Sequence, residues 1–339
     1  MPNLDRHPSH PELHSSCPRR GAGLWLLPAS LFATILLSWI SAGAWAATGG
    51  FQRPVHTFSI VARDPQTGDL GVAVQSHYFS VGPTVAWAEA GVGAVATQSL
   101  VEVSYGPKGL ELMRQGKSAS DALPDLLAKD EQRDVRQVAM VDAKGNVAAW
   151  TGPKCIEFAG GETGEGFSVQ ANLMSTQAVW PAMAKAYGEA KGDLADRLLA
   201  ALEAGQKAGG DIRGQQSAAI VVVRGSSSGQ PWKERLFDLR VEDSPKPIEE
   251  LKRLVRLQRA YRSEDLGDEA AAEGRMEDAL KAYSEAARLA PEVTELVFWQ
   301  AVSLFNAGRE ADAAPLFKKV FAADRSWPCW FRAWWPPAI

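Results

Sequence analysis

The order of strand-like and helical segments constrains the fold of this chain more than any other sequence feature. Apolar runs flanking turn residues predict two hairpins, residues 57–76 and 137–151. Further predicted strands are 84–87, 92–98, 218–223 and 236–241, and predicted helices lie around 110–113, 122–127, 177–189 and 194–207. This order fits two layered sheets between helices better than the strict βαβ alternation of a doubly wound sheet. We therefore predict an α+β domain.

A second region begins after residues 243–247, whose sequence DSPKP is typical of a domain boundary. The pairs Gly274-Arg275 and Gly308-Arg309 lie 34 residues apart, the helix-turn-helix period of a tetratricopeptide repeat (TPR). We predict a small all-α TPR-like domain over 244–339, with a helix at 248–261 as its cap. Its Trp-rich end, from Ser326 onward, has no helical period and either covers the last repeat or stays mobile.

The first 46 residues are typical of a cleavable secretion signal. An apolar stretch, residues 24–44, follows Arg19 and Arg20 and ends in Ala44-Trp45-Ala46, a pattern that signal peptidase accepts. A retained membrane anchor is the alternative, because the stretch is long enough to cross a bilayer. We expect a periplasmic or secreted protein with an extension at 47–56, the α+β domain at 57–243 and no membrane contact after cleavage.

Composition excludes several classes of function. A net charge of −4 without a basic stretch argues against nucleic-acid binding. After signal removal only His56 and His77 remain, too few for most metal sites or a Ser-His-Asp triad. The acidic residues show no metal-ligand spacing, so we expect neither a metal nor another cofactor. Cys155 and Cys329 are either free thiols or one disulfide.

With catalytic histidine nearly excluded, a hydroxyl nucleophile needs another base, such as a lysine, a carboxylate or the chain's own α-amine. An α-amine titrates near pH ~8 and can accept the hydroxyl proton of an N-terminal Thr. Thr57 begins a predicted strand and is the candidate for this role. Its alternative is a plain β-branched strand residue.

Several ordered motifs resemble a bacterial family of unknown function, number 1028, within the N-terminal-nucleophile (Ntn) hydrolase superfamily. They are TFSIVARDP (57–65), GVAV (71–74), GVGAVATQ (91–98), YGP (105–107), TGEGFSVQ (163–170) and GGDIRGQQSA (209–218). The resemblance implies a four-layer αββα sandwich of two antiparallel sheets, and an N-terminal Thr, Ser or Cys that attacks an amide carbonyl. Thr57 takes the nucleophile position by this resemblance.

The chain departs from that pattern at two points. After signal cleavage, residues 47–56 still precede Thr57, so catalysis would need a cut between His56 and Thr57. Proteasome-type members also carry an Asp and a Lys where this chain has Ala73 and Glu89. The proteasome mechanism therefore cannot be transferred.

The remaining candidate residues lie in the same motifs. The catalytic candidates besides Thr57 are Thr97, Gln98 and Asp211, and the substrate-binding candidates are His77, Glu165, Gln170, Asn172, Arg213 and Ser217. The loop after Thr97-Gln98-Ser99 is where an Ntn fold offers oxyanion donors, or it is only a turn. Asp211 and Arg213 either serve the site or form a structural ion pair, and the other polar residues either serve it or satisfy tight turns.

Two functions remain open. The first is an Ntn-type amidohydrolase that cleaves a small amide or peptide-like substrate. The second is a non-catalytic Ntn-fold protein that binds a ligand, with its TPR-like helices binding a protein partner. The retained extension 47–56 favours the second function. Homo-oligomerisation is compatible with both.

Overall fold

The computed structural model describes Val55 and residues 57–323. The strands are β1 (Thr57–Arg63), β2 (Leu70–Ser76), β3 (Ala86–Glu89), β4 (Gly93–Ser99), β5 (Arg136–Asp142), β6 (Val147–Thr151), β7 (Gly160–Gly164), β8 (Phe167–Ala171), β9 (Ser217–Val223) and β10 (Arg235–Val241). The helices are α1 (Gly82–Val85), α2 (Tyr105–Arg114), α3 (Ala119–Leu127), α4 (Val179–Glu189), α5 (Leu194–Lys207), α6 (Pro231–Glu234), α7 (Pro247–Ala272), α8 (Met276–Leu289), α9 (Thr294–Asn306) and α10 (Glu310–Ala323). The predicted signal, most of the 47–56 extension, the Trp-rich tail and Cys329 lie outside the described residues.

The strands form two antiparallel sheets. The larger sheet has the order β10-β9-β2-β1-β8-β7, and the smaller has the order β3-β4-β5-β6. Both predicted hairpins are present, as β1–β2 and β5–β6. The sequence-based prediction of a mixed α and β chain with layered sheets is thus confirmed.

Alternation along β1 shows how the layers pack. Phe58 and Ile60 point into a core that includes residues of α4 and α5, whereas Val61 belongs to a core shared by both sheets. A third core lies between the smaller sheet and the helices α2 and α3. Because successive strand side chains point to opposite faces, the face of β1 that carries Val61 also carries Thr57 and Ser59. Two polar residues therefore face the neighbouring sheet.

One sequence-based prediction is wrong in the larger sheet. The glycines around Glu162 and Glu165 predict a Gly-rich loop, but these residues belong to the β7–β8 hairpin, and β8 pairs with β1. Glycine has a low propensity for strands, so a Gly-rich sequence does not predict one. Here the small residue is required, because a Cβ on Gly160 would lie 2.6 Å from the Trp180 ring.

The C-terminal region is helical, as predicted. Helix α7 continues to Ala272, so the expected cap helix ending at Tyr261 is not a separate element. Ile248, Leu251 and Val255 of α7 pack in the same core as α4 and α5. Further along, α7 approaches α8 closely, since a Cβ on Gly267 would meet the Tyr283 ring at 2.5 Å. The start of α7 thus joins the helices to the α/β core.

Candidate functional site

Thr57 lies at the first position of β1, in a row of hydroxyl residues across three strands. Its register partner on β2 is Ser76, and Ser76 in turn pairs with Ser217 on β9. All three residues are buried. The Thr57 hydroxyl donates to the Val55 carbonyl oxygen at 3.0 Å and lies 3.3 Å from Ser76 Oγ. The predicted nucleophile is therefore inside the molecule when the preceding chain is present.

Val55 covers Thr57 by pairing with the end of β4. Its N–H donates to the Ser99 carbonyl oxygen at 2.7 Å, and the Ser99 N–H donates to the Val55 carbonyl oxygen at 2.9 Å. Its fully buried side chain packs in the core between the sheets. One amide carbonyl is thus held between the Thr57 hydroxyl and a backbone N–H. Such an arrangement resembles a substrate carbonyl beside a nucleophile and an oxyanion donor.

A network of buried amide side chains surrounds the start of β1. Gln98 Nε2 donates to the Thr57 carbonyl oxygen at 3.2 Å and to Gln137 Oε1 at 2.7 Å. The backbone N–H of Asn172 donates to the same Thr57 oxygen at 3.1 Å, and its Nδ2 donates to Gln137 Oε1 at 2.8 Å. Gln98, Gln137 and Asn172 are fully buried. Satisfied networks of this kind hold the groups they contact rigidly, here the backbone of Thr57.

The network extends along β1 to Ser59. Ser59 Oγ donates to Gln98 Oε1 at 2.6 Å and accepts from Gln170 Nε2 at 2.6 Å. Gln98, Gln170 and Asn172 are among the predicted site residues, whereas Ser59 and Gln137 are not. The available signal was their position, since each is a polar residue among apolar side chains on the inward face of a strand.

Asp211 and Arg213 form an ion pair near the strand ends closest to Thr57. The Asp211 carboxylate accepts from Arg213 Nε at 3.0 Å and Nη2 at 2.7 Å, from the Arg213 N–H at 2.9 Å and from the His77 N–H at 3.1 Å. The ion pair that was one of the two alternatives for these residues is therefore present. It ties the loop before β9 to His77, the residue after Ser76.

Other candidates are placed differently. Thr97 points to the α2 side of the smaller sheet, where its hydroxyl donates to the Glu102 carbonyl oxygen at 3.1 Å. Glu165 is exposed in the β7–β8 turn, beside the far end of β1 and roughly 20 Å along the strand from Thr57. Ser217 Oγ accepts from the Val81 N–H at 3.1 Å and donates to the Tyr78 carbonyl oxygen, which anchors a loop. Thr97 and Glu165 therefore do not join Thr57.

Exposed apolar residues lie on loops at the strand ends closest to Thr57. Phe79, Val103 and Ile156 lie on loops after β2, β4 and β6, and Ile212 lies on the loop before β9. In these antiparallel sheets all four loops leave from the strand ends nearest Thr57. Two of them are joined through Leu173, whose N–H donates to the Ile156 carbonyl oxygen at 3.0 Å and whose carbonyl oxygen accepts from the Ile212 N–H at 3.3 Å. We name Phe79, Val103, Ile156 and Ile212 the apolar rim.

Cys155 also lies near the strand ends closest to Thr57. Burial raises the pKa of the Cys155 thiol, which donates to the Arg136 carbonyl oxygen at 3.3 Å. Cys155 is therefore a poor nucleophile. Over residues 57–323, no group of three or more His, Cys, Asp or Glu residues could hold a metal ion, and no helix there is both long and apolar enough to span a bilayer.

A separate surface pocket of about 590 Å³ lies between α2 and α3. Tyr105 lines it and donates to Asp130 Oδ2 at 3.1 Å, and burial together with the Asp130 charge raises the tyrosine pKa. The pocket is on the outer side of the smaller sheet, where Thr97 points, and contains no group of the Thr57 site.

Known proteins resemble the α/β part of the chain. Residues 57–251 match a family described as a family of unknown function, DUF1028. Protein SPO2555 from Silicibacter pomeroyi, whose crystal structure is assigned to the same family, is 31% identical in sequence to this chain. The match covers 59% of this chain and 87% of SPO2555, with a TM-score of 0.53. No curated protein gives a significant match. Because the matched segment is more than half of the sequence, the chain belongs to the DUF1028 family.

Proposed function

We propose that this protein is an exported Ntn-type amidohydrolase that cleaves a small amide or peptide-like substrate, with Thr57 as its N-terminal nucleophile. The observation that carries the proposal is the Val55 carbonyl, which accepts from the Thr57 hydroxyl at 3.0 Å and from the Ser99 N–H at 2.9 Å. Removal of the chain before Thr57 would free its α-amine and vacate this carbonyl position. A substrate carbonyl would then take the place of Val55.

The chemistry follows from that placement. Thr57 Oγ1 attacks the substrate carbonyl carbon, and the hydroxyl proton passes to the α-amine of Thr57. The Ser99 N–H stabilises the oxyanion, since it already donates to a carbonyl at this position. The leaving amine takes the proton, and water, deprotonated by the same α-amine, then hydrolyses the Thr57 ester to a carboxylic acid. The amides of Gln98 and Asn172 hold the Thr57 backbone during these steps.

Two features of the fold support the proposal. Two antiparallel sheets packed together, with helices on both outer faces, have the layer order of an Ntn αββα sandwich. The nucleophile of that fold begins a strand, as Thr57 does. We extend the proposal to the helices after 244, which we regard as a TPR-like domain because α8 and α10 begin 34 residues apart.

The surroundings of Thr57 suggest the kind of substrate. The buried Val55 side chain would leave an apolar subsite when the extension is removed. The apolar rim would contact groups further from the scissile bond. A peptide-like amide with a small apolar residue on the acyl side fits both features, and its N–H would donate to the Ser99 carbonyl oxygen as that of Val55 does.

The test begins with the N-terminus of the mature protein, determined by intact mass and N-terminal sequencing. We expect a start at Thr57. A peptide epoxyketone should then modify Thr57, because this probe forms a ring with a nucleophile that offers both a hydroxyl and a free amine. Hydrolysis of N-acylated valine, alanine and glutamate anilides provides the activity readout, and the valine and alanine compounds should be cleaved faster.

Matched variants isolate the nucleophile. Thr57→Ala should abolish labelling and hydrolysis, and Thr57→Ser should retain part of both. Thr97→Ala is the control, because Thr97 points away from the site and should leave activity unchanged. Hydrolysis that survives in Thr57→Ala would refute the mechanism.

One observation favours a second candidate, a non-catalytic binding protein. Thr57 and Val55 are both fully buried while the extension is present. The hydroxyl of Thr57 is then inaccessible, and the backbone nitrogen of Thr57 is part of a peptide bond and cannot act as a base. A mature N-terminus at or before Val55, together with absence of epoxyketone labelling, would support this candidate and exclude the amidohydrolase.

A further inference from the structure

The C-terminal helices contain a buried carboxylate without a partner. Glu264 lies on α7 with only 6% of its surface exposed, and its Oε1 atom is buried without a hydrogen-bond partner. An isolated buried carboxylate is costly because it has lost its hydration. Proteins normally offset this cost with a cation or with several hydrogen-bond donors. Glu264 is therefore a position where a binding partner would supply what the chain does not.

The neighbours of Glu264 are also acidic. Asp265 and Asp268 lie on the same helix and Glu295 lies on α9, and all three act electrostatically on Glu264. The hydroxyl of Tyr261 donates to Glu295 at 3.0 Å. From α8, the hydroxyl of Tyr283 donates to Asp268 at 2.6 Å. Three helices thus meet around a group of acids that we call the acidic cluster: Glu264, Asp265, Asp268 and Glu295.

Within residues 57–323, none of the four carboxylates of the acidic cluster forms an ion pair with a lysine or arginine. Other acids of the same helical region do have arginine partners. These pairs are Glu250–Arg253, Glu292–Arg256, Glu273–Arg275, Glu285–Arg288 and Asp312–Arg309. The absence of an ion pair at the acidic cluster is therefore not a general property of the acids in these helices.

Burial and the neighbouring acids act on the Glu264 carboxyl in the same direction. Burial, and then the charges of Asp268, Glu295 and Asp265, raise the pKa of Glu264 to about 7. A cation bound at the cluster would reverse both contributions, because it would replace lost hydration and screen the acids from one another. Asp265 and Asp268 are exposed, so a ligand can reach the cluster from solvent.

We propose that the acidic cluster binds a lysine or arginine side chain of a partner polypeptide, with Glu264 as the central contact. Charge complementarity selects a cation, and among residues 57–323 no set of ligands suited to a metal ion is present. A long basic side chain also suits the position of Glu264, because its aliphatic stem can cross the protein surface while its charged end reaches a nearly buried carboxylate. This proposal does not depend on the catalytic role of Thr57.

The test uses the full chain and three labelled dodecapeptides in which alanine alternates with lysine, glutamine or glutamate. Fluorescence polarisation should show saturable binding of the lysine peptide only. Glu264→Gln should weaken that binding by at least about tenfold, as expected for loss of one charge-assisted contact. Glu277→Gln is the control, because Glu277 is an acid on α8 with 84% of its side chain exposed, and it should leave binding unchanged.

Circular dichroism should show that both variants keep their helical content. Absence of saturable binding by the lysine peptide would overturn the proposal. An equal loss of binding in Glu264→Gln and Glu277→Gln would also overturn it, because the attraction would then be general surface charge. Displacement of the lysine peptide by stoichiometric Ca²⁺ or Mg²⁺ would assign the cluster to a metal ion instead and would equally refute it.

Discussion

Glu264→Gln should stabilise the folded protein at alkaline pH, although it removes a charged residue. The pKa of Glu264 is raised from 4.5 to about 7 by burial and by Asp268, Glu295 and Asp265. At about 1.4 kcal/mol per pKa unit, ionised Glu264 costs the folded state about 3 kcal/mol. Glutamine has nearly the same shape and cannot ionise, so it avoids this cost.

The pH dependence gives the effect its signature. Below pH 4.5 the carboxyl is protonated in both the folded and the unfolded chain, so the variant should differ little from the natural sequence. Between pH 4.5 and 7 only the unfolded chain loses the proton, and the natural protein becomes progressively less stable as pH rises. Above pH 7 the full difference is present.

Urea unfolding at pH 4 and pH 8, combined with hydrogen exchange in α7, α8 and α9, measures this difference. We expect a gain of about 3 kcal/mol at pH 8 and almost none at pH 4 for Glu264→Gln. Glu277→Gln should change stability by less than about 0.5 kcal/mol at both values, as is usual for exposed positions. Equal changes at the two pH values, or a loss of stability at pH 8, would refute the assignment of Glu264 as a buried, unpaired carboxylate.

Three further variants test the α/β part. Gln137→Ala should lower the free energy of unfolding in urea by about 4 kcal/mol, because two buried amide groups lose their acceptor; a loss below about 1 kcal/mol would contradict the network. Gly160→Val should cost about 2 kcal/mol in the same assay, since its Cβ meets the ring of Trp180; unchanged stability would show that the ring moves freely. Ile212→Ser should raise KM for apolar anilides about fivefold. Trp232→Ser should leave KM unchanged, because Trp232 is exposed at the opposite strand ends of the larger sheet. Equal effects of the two substitutions would exclude specific substrate binding by the apolar rim.

Local signals predicted the first hairpin accurately. The predicted hairpin over 57–76 has the same outer bounds as the pair of β1 and β2, because a turn of Asp, Pro and Gly residues separates two apolar runs. The N-cap of α3 is equally local, since the Ser118 side chain accepts from the Asp121 N–H three residues later. These features depend on residues that are close in sequence.

The site depended on contacts between distant segments and was predicted only in part. Gln98, Gln170 and Asn172 were selected from motifs, but their common target could not be seen before β4, β5 and β8 were placed around β1. Thr97 was selected together with Gln98, although adjacent strand residues point to opposite faces and only one of the two can face Thr57. A decision between them required knowing which face of β4 meets the larger sheet.

The two candidate functions differ in whether the peptide bond between His56 and Thr57 is cleaved, and the contacts of Val55 bear on both. From the sequence alone, the segment before Thr57 only blocks the α-amine that catalysis needs. The structure shows that part of this segment pairs with Ser99 and places a carbonyl oxygen 3.0 Å from the Thr57 hydroxyl. If the bond after His56 remains intact, the Val55 contacts keep Thr57 covered, as the binding-protein candidate requires. If that bond is cut and the preceding segment leaves, an amide substrate would bind in the position of Val55. That position retains the Ser99 N–H as donor, the Ser99 carbonyl oxygen as acceptor and an apolar subsite.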